Sequence, residues 1–171
     1  MVSLYPNVDK NDAVIAVMEL FVQHYNLLNH LNIKPEHFHD LLLVLLDGTI
    51  FTFNGQLYTQ LRGLPMGHRF APFAAIAFMH KIETTVTSTL RINLFTRYID
   101  DIFVLTDDEN ELESLYKMLN NSHETIKLTR EDPTEKGLAF LNCNIKGFKN
   151  DKFITTEYRK PTSKNIILNA N

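Results

Sequence analysis

Apolar residues recur at three- and four-residue spacing through Val14, Val17, Met18, Phe21, Tyr25 and Leu28. That period predicts an amphipathic helix over roughly residues 10–30, with Asp9 or Asn11 able to cap its start. Pro35 suits a first helical turn, so a second helix is expected from there to about Leu46, stopped by Asp47-Gly48. Thr49–Phe53 and Gln56–Gln60 then flank Asn54-Gly55, a pair that favours the positive φ of a tight hairpin turn. Phe73, Ile76, Ala77, His80, Ile82 and Val86 return to helical spacing. They predict a helix from Phe70 to about Leu90 that begins near Pro72. Its first part, with Ala71, Ala74, Ala75 and Ala77, is small and apolar, which permits close packing under a sheet.

Phe95–Tyr98 and Ile102–Leu105 read as paired strands. Asp107 or Asp108 caps the next helix, with Glu111 placed to complete a capping box on Asp108. Leu112, Leu115, Tyr116 and Leu119 form its apolar face. Ile126–Thr129, Leu138–Ile145 and Phe153–Tyr158 read as further strands, joined by Gly147 and the Lys149-Asn150-Asp151 turn. The order suits an α+β fold, an antiparallel sheet packed on helices.

Composition adds bounds. The 171 residues, 44% apolar and 22% charged, are ordinary for one globular domain. Nothing at the start reads as a signal peptide, and Leu41–Leu46 is too short to cross a bilayer. The expected setting is intracellular, cytoplasmic or nuclear, with no membrane partner. Cys143 is the single cysteine, so no disulfide framework or cysteine-rich zinc site is expected. A net charge of −3 argues mildly against a stand-alone nucleic-acid binder. The charge is uneven, however. Lys127, Arg130, Lys136, Lys146, Lys149, Lys152, Arg159, Lys160 and Lys164 outweigh the acidic residues after position 125, while the earlier part is acidic. A basic segment beside an acidic centre suits a nucleic-acid channel, and it equally suits a solvated surface.

The candidate chemistry lies in Arg97-Tyr98-Ile99-Asp100-Asp101-Ile102-Phe103. A tight turn there sets two carboxylates at one hairpin tip, and hard divalent cations take oxygen ligands. Asp-Asp is also simply a good turn former. Upstream, Gln60-Leu61-Arg62-Gly63-Leu64-Pro65-Met66-Gly67 is a shaped loop, with two glycines flanking a proline. It lacks the Lys-Ser/Thr of a phosphate-binding Walker loop, and as bare sequence it is as readily a structural turn. The histidines, including His37-Phe38-His39, follow no metal-ligand spacing and read as surface and packing residues.

Gln-x-x-Gly-x-Pro-Met-Gly, then a helix, then Arg-Tyr-Ile-Asp-Asp resembles the palm of a reverse transcriptase. Leu119-Asn120, His123, Ile126-Lys127-Leu128-Thr129, Phe140-Leu141 and Tyr158-Arg159-Lys160-Pro161-Thr162 extend the likeness to the Penelope-like branch of retroelements. Val2-Ser3-Leu4-Tyr5-Pro6-Asn7-Val8 looks like the tail of that family's first catalytic motif. The resemblance implies a palm-like but incomplete reverse transcriptase domain over residues 1–171, with a palm core at about 1–130 and a strand region after it at about 131–168. It also implies RNA-directed DNA polymerisation, a nucleotidyl transfer run by two Mg²⁺ ions. Its partners are an RNA template, a DNA primer and dNTP.

By resemblance, Asp100 and Asp101 are the catalytic and metal-binding pair. Tyr5, Gln60, Gly63, Pro65, Met66, Gly67 and Arg97 bind nucleotide or template, Tyr5 as a steric gate against a 2′-hydroxyl. Arg159 and Lys160 hold primer phosphate. Each has a plainer role open to it: core packing for Tyr5, carboxylate pairing for Arg97, solvent exposure for Arg159 and Lys160. The sequence also departs from the family. The first motif's metal-binding Asp stands three residues before the Ser of Ser-Leu-Tyr, a position ahead of Met1. Gly67-His68-Arg69-Phe70-Ala71-Pro72 replaces Gly-Ser-Pro-Leu-Ser-Pro, and Asn142 replaces an Asp. Asp9 and Asp12 come too late in the chain to stand in for the missing ligand. The expectation is a retrotransposon-derived fragment that is inactive alone. The alternative is a non-catalytic nucleic-acid-binding remnant or a decayed open frame.

Overall fold

The computed structural model describes residues 1–160 apart from Val2, Gly48 and Asp151. The expected stop at Gly48, the Asp151 corner of the last turn, and Pro161, Thr162 and Lys164 with the region to 168 therefore lie outside the described residues. The chain forms two compact units, Met1–Thr129 and Arg130–Asn171.

In the first unit, α1 (Leu4–Asn7) leads into α2 (Lys10–Gln23), capped by Asp9, whose carboxylate accepts from the Asn11 and Asp12 amides. The resemblance of Val2–Val8 to the first catalytic motif implies a strand at residues 2–5, beside the Asp turn. Val2 lies outside the described residues, and from Leu4 onward the backbone is helical, with Ser3 at φ 49° turning the chain into it. The long helix expected over 10–30 ends at Gln23, followed by α3 (Tyr25–Leu28) and a 3₁₀ turn at Asn29–Leu31. His24 is the break: its φ is −107°, and its Nδ1 donates to the Leu20 carbonyl at 2.9 Å. Helix α4 (Pro35–Leu46) has the expected bounds, with Pro35 in its first turn.

Strands β1 (Ile50–Phe53) and β2 (Gln56–Thr59) pair antiparallel, Phe53 opposite Gln56. Asn54 at φ 49° and Gly55 at φ 76° supply the two positive angles of a type I′ turn. Both faces of this hairpin are exposed, with Phe51 stacked on Tyr58 at 5.7 Å.

Helix α5 (Ala71–Thr87) is the centre of the core, and its buried residues include Ala71, Ala74, Ala75, Ala77, Phe78 and Met79. The small side chains let α2 approach closely, burying Ala13, Ala16 and Val17. Leu42 and Leu46 of α4 close the same cluster. Strands β3 (Leu94–Tyr98) and β4 (Asp101–Leu105) form a second antiparallel hairpin. Phe103 is buried, and Phe95, Ile99 and Val104 pack on the core. Helix α6 (Glu109–Asn121) adds Leu115 and Leu119. Asp108 caps α6 by accepting from Asn110 N. The expected capping box is not made: Glu111 accepts from the Arg91 amide at 2.6 Å, and the Asp108 N–H goes to Thr106 Oγ1 at 3.3 Å.

Residues 126–129, expected as a strand, are irregular. Ile126 is buried, but the segment's backbone is held by side chains of α6 and not by a ladder. Leu128 N donates to Asn120 Oδ1 at 2.9 Å, and Tyr116 Oη donates to the Leu128 carbonyl at 3.2 Å.

The second unit holds a three-stranded antiparallel sheet, β5 (Leu138–Phe140), β6 (Cys143–Lys149) and β7 (Lys152–Glu157), in that order. Leu138–Ile145 is thus a hairpin and not the single strand expected. Leu141 at φ 55° makes the turn, and Phe140 pairs with Cys143. A bulge lies between Ile145 and Gly147. The fold is mixed α+β, with helices packed against antiparallel sheet; the strands form three separate small sheets.

Candidate functional site

The Asp pair sits at the tip of the β3–β4 hairpin. Tyr98 pairs with Asp101, leaving Ile99 and Asp100 as a two-residue turn. Ile99 is at φ 57° and Asp100 is not at positive φ, the pattern of a type II′ turn, whose first central position favours glycine. A β-branched residue there is strained by about 1–3 kcal/mol and persists only where the surroundings hold it. Neither aspartate side chain is engaged by a hydrogen bond or ion pair among the described residues. The start of the chain lies beside this turn, with the Met1 amino group 3.1 Å from the Asp100 carbonyl oxygen.

What holds the turn is Arg97. Its guanidinium donates from Nε to Glu83 Oε1, from Nη1 to the Ile99 carbonyl at 3.1 Å, and from Nη2 to the Ile76 carbonyl at 3.4 Å. Both side chains of this ion pair are about nine-tenths buried, at 9% and 10% exposure. Burial pushes the Glu83 carboxyl above the ordinary carboxylate range, and the Arg97 guanidinium offsets part of that rise. Sequence reasoning missed Glu83. The available signal was a lone carboxylate among apolar residues on the buried side of α5, where an unpaired charge is costly.

The Gly63–Gly67 loop is built against the chain start. Gly63 is at φ +75°, and a Cβ there would stand 2.6 Å from Pro6 Cα and 2.7 Å from the Tyr5 carbonyl oxygen. Leu64 N donates to that same Tyr5 oxygen at 2.8 Å. Leu64 and Pro65 are fully buried, whereas Met66 is 73% exposed. Gly67, at φ +87°, has open space around it. Gln60 directs its side-chain amide to the Arg62 carbonyl, and its own carbonyl accepts from Lys10 Nζ at 3.2 Å. Tyr5 is half-buried against the core. The loop and Tyr5 are thus one packed unit, while Arg97 faces inward to Glu83. Arg159 lies in the second unit, its Nε 2.8 Å from Glu157, and Lys160 follows it, exposed.

Asp9 and Asp12 are occupied elsewhere. Asp9 caps α2, and Asp12 Oδ2 lies 3.2 Å from His123 Nε2. Among the described residues no group of three His, Cys, Asp or Glu side chains converges as a metal site. Two unengaged carboxylates on a hairpin tip still fit Mg²⁺, which is commonly held by one or two protein carboxylates, with water and substrate phosphate completing the octahedron.

The first unit thus sets an Asp-Asp hairpin tip that is braced from its central helix. The sequence profile of the family described as reverse transcriptase (RNA-dependent DNA polymerase) matches residues 22–131. The chain belongs to that family. The matched span takes in the Gln60–Gly67 loop, Arg97 and the Asp pair; Tyr5, Arg159 and Lys160 lie outside it. No curated protein and no solved structure matches the chain.

Proposed function

We propose that this chain is a reverse transcriptase palm fragment of a Penelope-like retroelement, and that its inherited reaction is RNA-directed DNA polymerisation. The observation that carries the reading is the turn at Ile99-Asp100, which leaves two carboxylates unengaged at the tip of a core-anchored hairpin. Asp100 serves as the firmer Mg²⁺ ligand and Asp101 as its helper. Bound Mg²⁺ in such sites activates the primer 3′-hydroxyl and stabilises charge on the transferring phosphate. The loop of Gln60, Gly63, Pro65, Met66 and Gly67 shapes the pocket for the template base and incoming dNTP, with the buried Gly63 and Pro65 setting its backbone from behind. The Tyr5 ring sits as a steric gate. Arg97 acts through the turn it braces, and Arg159 with Lys160 binds primer phosphate, a contact that positions without reading sequence.

In this reading, residues 1–171 alone fall short of turnover. The Asp100–Asp101 tip is one carboxylate cluster, whereas two-metal displacement asks for carboxylates from two strands. The test is primer extension on an RNA template with Mg²⁺ or Mn²⁺. It compares residues 1–171, their Asp100→Asn variant, and a longer chain with an Asp three residues before Ser3 and flanking domains. Extension by the longer chain alone, abolished by Asp100→Asn, is the expected result. Robust Asp100-dependent extension by residues 1–171 overturns the claim that one carboxylate cluster is too few for turnover. No extension by the longer chain overturns the polymerase reading.

A further inference from the structure

We infer that Glu83 is a positioning residue for the Asp turn, acting through Arg97, and that without it the turn cannot present Asp100 and Asp101 to a divalent cation. The inference rests on the metal-site reading above.

Four observations converge. Glu83 is the one buried charged or polar residue recorded among the described residues. Its carboxylate receives Arg97 Nε in a buried ion pair. The far end of the same guanidinium donates to the Ile99 carbonyl, the residue held at φ 57° inside the turn. The third donor returns to the Ile76 carbonyl on α5, two helical turns before Glu83. A planar guanidinium fixed at one edge by a carboxylate fixes the direction of its other donors. The strut therefore carries the rigidity of the central helix to a strained turn, which relaxes unless it is held. Free carboxylates bind a small cation well only when their geometry is set beforehand. Buried pairs of this kind stabilise folds little compared with apolar replacements, so placing the turn is the role that fits this one.

The experiment uses the 171-residue chain, with backbone amide NMR as its readout. Amide hydrogen exchange is measured without metal, and Mn²⁺ line broadening is then titrated. Glu83→Ala breaks the strut, and Glu83→Gln keeps an acceptor for Arg97 Nε. In the wild type, Mn²⁺ is expected to broaden amides around Asp100 and Asp101 selectively. In Glu83→Ala, exchange across the β3–β4 tip accelerates about tenfold, the effect of losing one charge-assisted hydrogen bond. The Mn²⁺ midpoint rises by a similar factor of about ten, while amides of Leu115 and Leu119 keep their protection. Glu83→Gln recovers part of the loss in both readouts, since the hydrogen bond to Arg97 remains while its charge partner does not. Loss of protection at Leu115 and Leu119 in step with the tip marks a purely structural role and overturns the inference. So does a Glu83→Ala tip that exchanges and binds as wild type does. Absence of Mn²⁺ broadening at the wild-type tip overturns the metal-site reading itself. Those two failures are told apart because the exchange arm contains no metal.

Discussion

Replacing Gly63 by alanine separates two costs that usually come together. Its φ of +75° is a left-handed angle, and its missing Cβ leaves room for the Tyr5-Pro6 backbone, which a Cβ would meet at 2.6–2.8 Å. The angle alone costs an alanine about 1–2 kcal/mol. Forcing backbone apart in a packed region adds about 1–3 kcal/mol. The displaced Leu64 N to Tyr5 O bond, 2.8 Å long, adds about 0.5–1.5 kcal/mol. Gly63→Ala should therefore destabilise by about 2.5–6.5 kcal/mol in all. Gly67 is the internal control. Its φ is +87° but a Cβ there meets nothing within 4 Å, so Gly67→Ala should cost only the angle, about 1–2 kcal/mol. Urea unfolding of both variants beside the wild type gives the two values directly, provided the slopes agree. Losses within about 1 kcal/mol of each other, the ordinary spread for such effects, would refute the claim that the loop is built onto the Tyr5-Pro6 backbone.

Glu83 makes a prediction with a defined sign. Its carboxyl is raised above 4.5 in the folded state, so between that value and the raised one the folded chain holds more protons than the unfolded chain. Stability then falls as pH rises through this window. Thermal unfolding should show wild type losing ground to Glu83→Gln as the pH rises above 4.5; a gap that moves the other way would show that the ion pair outweighs burial. Asn120→Ala should cost about 1–3 kcal/mol by orphaning the Leu128 amide. Asn120→Asp, which keeps an oxygen for that amide, should recover part of the loss in the same urea assay.

The helix bounds at Pro35–Leu46, the Asn54-Gly55 hairpin and the Asp hairpin were legible because each is set by local chemistry. Proline fixes an N-terminus, Asn-Gly fixes a turn, and Asp-Asp between two apolar runs fixes a hairpin tip. Residues 126–129 show where that reasoning stops. Ile126 and Leu128 turn inward while Lys127 and Thr129 are exposed, the alternation of a strand. A strand, however, also needs a backbone partner, and here side chains of α6 supply the hydrogen bonds instead. Alternation reports burial and is silent on who pairs with the backbone. The same limit hid the turn at Leu141 inside one apolar run. The site divides in a similar way. Asp100 and Asp101 were visible as a motif, but the brace from Glu83 through Arg97 to Ile99 joins positions that only the packing of α5 on β3 brings together. Arg97 stood out as a nucleotide-site candidate, while its guanidinium is turned to Glu83 and two carbonyls.

The central claim, that the Asp100–Asp101 hairpin tip is a metal-holding site of the reverse transcriptase kind, is tested most directly by anomalous diffraction from crystals of the chain soaked in Mn²⁺. The account predicts an anomalous peak at the tip, at coordination distance from a carboxylate oxygen of Asp100, with Asp101 beside it, and its loss in Asp100→Asn crystals. A tip without a peak, or a peak that survives Asp100→Asn, would contradict it.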